Sequence, residues 1–183
     1  MKFVQPIRDM EKIFEIQEFL LEQNERNYML FVTGIYTGLR ISDILRLKVK
    51  DVRGQYIDIR EKKTNKQKNI RIIPEFKREL NRYITGKDDD EYLFRSRKGK
   101  NKPLQRSMAY KVLRSAAFAC GLKNIGTHTL RKTFGYHMYM SNKDVAMLQE
   151  IFNHSEPKTT LRYIGVTQDS IDKAMSKLSF KRK

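Results

Sequence analysis

The sequence predicts an α+β fold, mainly helical, with one small antiparallel sheet. Two observations carry this. Apolar residues, 39% of the 183 positions, recur at helix-like spacing over most of the chain. One stretch, residues 56–74, instead reads as β-rich and roughly alternating. Helices around one small sheet satisfy both.

Residues 9–24 place Met10, Ile13, Phe14, Ile16, Phe19, Leu20 and Leu21 at helical spacing, with Asp9 as N-cap. A second helix over residues 26–38 is apolar nearly all round, which makes it central, and Gly38 breaks it. "ISDILRLK" predicts a short helix with Ile41, Ile44, Leu45 and Leu47 inward. "YIDIREKK" and "KNIRIIP" predict two strands joined by "TNKQ" and ended by Pro74. A helix follows with Pro74 in its first turn, then an acidic loop, then the basic loop "RSRKGKNK". Beyond residue 105 the pattern gives five helices, at about 105–120, 127–141, 142–154, 156–164 and 167–178, with Thr127 as a cap. No repeat or low-complexity linker interrupts this. A single domain over 1–183 is expected, ending in a mobile basic tail at 179–183.

The charge restricts the function classes. Thirty-eight basic residues against 21 acidic ones give +17. An excess of that size points first to DNA or RNA, then to an anionic membrane surface, then to a solvated surface. The single cysteine, Cys120, lies among small apolar residues and reads as a buried hydrophobe in a reducing compartment. No stretch has the length and apolarity of a membrane span, and the first twenty residues show no signal peptide.

Several polar residues stand where apolar ones would cost less. Arg40 lies between a buried helix and the next apolar stripe; alone, it reads more simply as an arginine satisfying helix-terminal carbonyls. His128 and Arg131 are three apart, hence on one helix face, two cations with no acid nearby. Lys63 is at the tip of the predicted hairpin, where a solvated turn is the simpler reading. His154 precedes Tyr163 by nine residues, across a helix start at Ser155–Pro157. Together these six make an anion site. The three histidines have no zinc-like spacing, and His137 falls on the Leu130 and Phe134 side, where packing is its natural role. There is no Walker A loop and no Gly-x-Gly-x-x-Gly.

In order and spacing, these residues resemble the tyrosine recombinases of the phage integrase family. "TGLRISD" resembles the first arginine box, "KKTNK" the hairpin lysine, "THTLRKTF" the His-x-x-Arg box, and "FNHSEPKTTLRY" the closing His and Tyr box. "FNHS" departs from the usual Leu-Gly-His, and "MSNKD" lacks the usual inter-helix glycine, for which Asn142 would supply the turn. Only about 39 residues precede Arg40, too few for the N-terminal core-binding domain. The resemblance therefore implies a catalytic domain alone.

It also implies strand cleavage and rejoining on double-stranded DNA without metal or other cofactor. Tyr163 would attack a phosphodiester to give a 3′-phosphotyrosyl enzyme. Arg40 and Arg131 would clamp the phosphate, His154 would donate to it, His128 would be the general base, and Lys63 the acid for the leaving 5′-oxygen. Asp43 would orient one of these side chains or be a plain surface acid. A tetramer on DNA, a monomer when unbound, and a cytoplasmic, nucleoid-associated location follow from the same resemblance. The stripe Ile171, Ala174, Met175 and Leu178 would pack in cis or on a second protomer. "KVKDVR", "KKTNKQK" and "RSRKGKNK" would contact phosphates. Two other readings stay open: a catalytically silent DNA-binding module, and nicking and closing of the type IB topoisomerase kind.

Overall fold

The computed structural model describes residues 4–179. The basic tail expected to be mobile lies, apart from Ser179, outside the described residues. The order is α1 (Met10–Gln23), α2 (Glu25–Thr37), α3 (Ile41–Ile44), a 3₁₀ turn (Val49–Val52), β1 (Tyr56–Arg60), β2 (Gln67–Arg71), α4 (Pro74–Ile84), α5 (Arg106–Ala119), α6 (Thr127–Asn142), α7 (Val145–Phe152), α8 (Pro157–Tyr163) and α9 (Val166–Met175). The two strands form one antiparallel pair, so the fold is α+β and mainly helical as expected. The chain divides into two compact units, 1–134 and 135–183, and the division falls inside α6.

The first unit is built around α2. Met29 to Gly34 are all buried, which matches its nearly uniform apolarity. α1 caps on Asp9, whose Oδ1 accepts the Glu11 N–H at 2.9 Å, and it buries Ile13, Ile16 and Leu20. Gly38 ends α2 at φ 60°, a left-handed turn that only glycine adopts cheaply. α3 is one turn long, not the two implied by "ISDILRLK". Ile41, Ile44, Leu45 and Leu47 are nevertheless all buried. The chain leaves the helix because Lys48 bridges to Tyr92, which commits that backbone to a different partner.

In the hairpin Arg60 faces Gln67, and the turn closes through Glu61 N–H to Lys66 O and Asn65 N–H to Glu61 O, both 2.9 Å. Ile57 and Ile59 point inward on β1. On β2 the half-buried positions are Lys68 and Ile70.

α6 begins at Thr127, so Thr127 is inside the helix and not its cap. The Gly126 N–H is instead taken by the Thr129 hydroxyl at 3.1 Å. Leu130 packs where α2 has only Gly34: a Cβ there would meet Leu130 Cβ at 2.8 Å. The Thr133 hydroxyl accepts the Ile7 N–H at 2.9 Å, tying the entry segment to α6.

In the second unit Gly135 lets α6 approach Phe152 and Ile164, whose atoms would lie 2.6 and 2.7 Å from an added Cβ. Between α6 and α7 the left-handed residue is Lys143, at φ 58°, and not Asn142. Asn142 contributes its Oδ1, which accepts the Asp144 N–H at 3.0 Å. His137 is half-buried and lies edge-on to the neighbouring Tyr136 ring. α9 has no buried residue, and Ile171, Met175 and Leu178 are exposed. Among the described residues no helix is long and apolar enough to cross a membrane.

The tight α2–α6 approach generates a stability test. Gly34→Ala is expected to cost about 1–3 kcal/mol through overpacking against Leu130. Gly54→Ala, where the added carbon would meet only ordinary contacts at 3.7 Å, is expected to change stability by less than about 0.5 kcal/mol. Urea unfolding of the two variants checks both values.

Candidate active site

Arg40 is the residue before α3, directly after the Gly38 turn, in extended backbone at φ −69°, ψ 145°. This geometry sends its side chain away from α2 and toward the hairpin. There its Nη1 lies 2.7 Å from Glu61 Oε1. The same Oε1 is 3.3 Å from Lys68 Nζ, and Glu61 Oε2 accepts the Thr64 hydroxyl at 2.6 Å. Glu61 is 1% exposed, whereas the Arg40 side chain keeps 18% of its surface open.

Burial pushes the Glu61 carboxyl up, but the Thr64 hydroxyl, Arg40 and Lys68 together bring it below the usual range. Lys68 is held below its ordinary value, first by burial; Glu61 opposes this, and Arg131 and Arg40 add to it. Lys68 thus feels both guanidinium groups.

Arg131 is 3% exposed and donates from Nη1 to the Gly38 carbonyl. The left-handed turn that ends α2 is what aims that carbonyl. Phe134, one turn on along α6, lies where a side chain at Gly38 would go. His128, on the same face of α6 as Arg131, is exposed on the surface. Its pKa lies below the ordinary 6.5, first because part of the ring is desolvated, then because Arg106, Arg131, Lys132 and Arg40 surround it. Lys132 turns the other way and donates to the Val4 carbonyl at 2.8 Å.

Lys63 is exposed in the turn between the strands. The turn itself is fixed: the neighbouring Lys62 N–H donates to Asp43 Oδ1 at 2.9 Å. Asp43 is fully buried, so it is no surface acid; it fastens the hairpin turn to α3.

In the second unit His154 and Tyr163 come together. Their ring centroids are 5.3 Å apart at an interplanar angle of 77°, and Phe152 packs edge-on against Tyr163 at 5.4 Å. Asn153, left-handed at φ 54°, ends α7 and turns the chain so that His154 meets α8. The Thr160 hydroxyl, fully buried, hydrogen-bonds His154 Nδ1 at 3.0 Å and so orients the ring. Arg162, next to Tyr163, is exposed, as the 100° helical step requires.

The first unit therefore brings together Arg40, Arg131 and His128, and the second His154 with Tyr163. Two members were missed from the sequence, Glu61 and Lys68. The signal was available: Ile57, Ile59 and Glu61 share one parity, as do Lys68, Ile70 and Ile72, and both sets face inward. Among the described residues, no three His, Cys, Asp or Glu side chains could share a metal ion.

The basic stretch "KVKDVR" is already paired. Lys48 and Lys50 lie 3.3 and 2.8 Å from Asp90 Oδ1, and Arg53 pairs with Asp89.

A family model, the phage integrase family, matches residues 8–169. The probable integrase/recombinase YoeC of Bacillus subtilis is 52% identical over 171 residues, 93% of this chain and 94% of that protein. The tyrosine recombinase XerA of Pyrococcus furiosus is 27% identical over 91% of this chain, which spans only 59% of that protein. Among solved structures, a XerA recombinase superposes with a TM-score of 0.75 at 20% identity, over 97% of this chain and 66% of that one. The XerH recombinase bound to its difH substrate gives 0.70 at 24% identity, over 89% and 51%. The catalytic domain of bacteriophage HP1 integrase gives 0.59 at 19%, over 87% and 86%. The family match over nearly the whole chain, together with the half-identical relative covered almost end to end, shows that this chain belongs to the phage integrase family of tyrosine recombinases.

Proposed function

We propose that the chain is a site-specific DNA strand transferase that cleaves and rejoins double-stranded DNA through a phosphotyrosyl link at Tyr163. The observation that carries this reading is the arginine arrangement: buried Arg131 held on the Gly38 carbonyl and half-buried Arg40 held on Glu61, with Lys68 and His128 each in the field of both. Two fork-shaped cations match the non-bridging oxygens of a phosphodiester and stabilise the charge that grows on them in a pentacoordinate transition state. The net +17 supplies general affinity for the polyanion. The XerH neighbour is a DNA complex, which is consistent with the same class of partner here.

The residue roles are those the family resemblance implies, and chemistry accounts for them. A free tyrosine has a pKa of about 10, so attack at neutral pH needs a proton acceptor. His128 fills that role because partial burial, and after it the surrounding cations, favour the neutral imidazole. The Tyr163 oxygen bonds to phosphorus, the bond to the 5′-oxygen breaks, and Lys63, carried by the hairpin turn, supplies the proton to that oxygen. His154, oriented through Nδ1 by Thr160, donates to the phosphate from its other nitrogen. Reversal with a second 5′-hydroxyl reseals the strand. The arginines supply the charge stabilisation that a metal gives in other phosphoryl-transfer sites, so no cofactor is required. A homotetramer on DNA is the assembly this exchange requires. The cytoplasm, beside the nucleoid, is where such a substrate is met.

Incubation with nicked suicide DNA carrying the target site is expected to give an SDS-resistant adduct that persists in EDTA. Tyr163→Phe is expected to abolish the adduct while DNA binding stays within about threefold. Good binding with no wild-type adduct establishes the silent-module reading instead, and loss of the adduct in EDTA removes the metal-free step.

The pH dependence has a definite sign. A base works when unprotonated, and the His128 pKa lies below 6.5. Single-turnover cleavage should therefore be flat near pH 7 and fall on acidification through a pKa below 6.5. His128→Asn should lower the plateau about 10²–10⁴-fold and remove that inflection. An inflection that survives in the variant assigns the base elsewhere.

A further inference from the structure

Glu61 is an acid buried where the reaction needs positive charge. A carboxylate there opposes a phosphate by simple Coulomb repulsion, so its presence calls for a reason. Its contacts give one. Glu61 is the first residue after β1, where the hairpin turn begins, and it keeps the inward parity of Ile57 and Ile59. It reaches out of the hairpin to Arg40, the residue before α3, at 2.7 Å, and within the hairpin to Lys68 on β2 at 3.3 Å and to Thr64 in the turn at 2.6 Å. The backbone of Glu61 closes the same turn, through its N–H to Lys66 and its carbonyl to Asn65. One residue on, Lys62 N–H is held by Asp43, on α3 itself. Two acids therefore bind the turn to α3, and Lys63 lies between Lys62 and Thr64, the two turn residues they hold. The Arg40 side chain keeps 18% of its surface open and Glu61 none, so the carboxylate backs the guanidinium without occupying its open surface.

We infer that Glu61 is a positioning residue, which couples the hairpin turn bearing Lys63 to the Arg40 phosphate clamp. The inference rests on the strand-cleavage reading above. Its content is that Lys63 meets the leaving 5′-oxygen only while Glu61 holds the turn against Arg40. Loss of Glu61 should then damage protonation of the leaving group more than it damages DNA binding or folding.

The test uses suicide substrates with either oxygen or sulfur at the 5′-bridging position of the scissile phosphate. In both, the Tyr163 oxygen bonds to phosphorus. With oxygen, the departing group takes a proton from Lys63. With sulfur, a thiolate leaves unaided, because thiols are far stronger acids than alcohols. Comparing the oxygen rate with the sulfur rate isolates the acid step. Glu61→Ala is expected to lower the oxygen-to-sulfur rate ratio at least about tenfold, with DNA affinity within about threefold of wild type. Lys63→Ala should lower the ratio further, and the double variant should match Lys63→Ala alone, since the two act through one step. Glu61→Gln, which keeps the shape and the Thr64 contact, keeps the test valid if the alanine variant fails to fold, and should lower the ratio about threefold. An unchanged ratio in Glu61→Gln and in every folded alanine variant, or a multiplicative effect in the double variant, overturns the inference and leaves Glu61 a purely structural acid. Absence of adduct from wild type on both substrates overturns the cleavage reading itself, and is distinguishable because no ratio then exists.

Discussion

The Glu61 carboxylate holds Arg40 and Lys68 in one partly buried region, and Arg131 adds to the positive field there. Packing cations together away from water is unfavourable twice over, by desolvation and by mutual repulsion. A single buried acid offsets part of both. Arg131 is served differently, by a backbone carbonyl, which accepts a hydrogen bond without cancelling the charge. The result is a region that stays net positive and yet is held in one arrangement. Much of the first unit follows from that need. The Gly38 turn exists to present its carbonyl, and Asp43 is buried to hold the turn beside Glu61.

α6 concentrates the remaining constraints in the seven residues 128–134. Thr129 serves the backbone before the helix, Leu130 fills the gap left by Gly34, Arg131 meets Gly38, Lys132 reaches Val4, Thr133 takes Ile7 N–H, and Phe134 covers Gly38. His128 alone faces outward. Within 129–134 almost no position is left neutral to substitution. The second unit is simpler. Phe152 is a fully buried ring on which His154 and Tyr163 both rest, so a core residue sets the mutual orientation of two polar ones.

How far the sequence could be read depended on the kind of signal. Helices α1, α2 and α4 were legible because periodicity and caps agreed: Asp9, Gly38 and Pro74 each mark an end. The length of α3 was not, because what ends it is a bridge to Tyr92, forty-four positions further along the chain. Of the site residues, Arg40, His128, Arg131, His154 and Tyr163 were found as polar residues in apolar or helix-start surroundings and by family order. Glu61 and Lys68 were hidden inside a charged stretch, "REKKTNKQK", that reads as a solvated turn. Only strand parity, read within β2 for Lys68 and carried one residue past β1 for Glu61, separates the two inward charges from their neighbours. Asn142 was misassigned because the left-handed residue is an unremarkable Lys143, stabilised by the Asx turn beside it.

The acidic loop at residues 88–91 has a thermodynamic consequence. Lys48, Lys50 and Arg53 carry their neutralising charges as part of the chain, in Asp90 and Asp89. A lysine that leaves a carboxylate for a DNA phosphate exchanges one fixed anion for another, and the carboxylate left behind gathers salt cations from solution. The counterions released by DNA are then partly taken up again by the protein. Affinity for DNA should therefore depend on ionic strength less steeply than the number of basic side chains at its surface suggests.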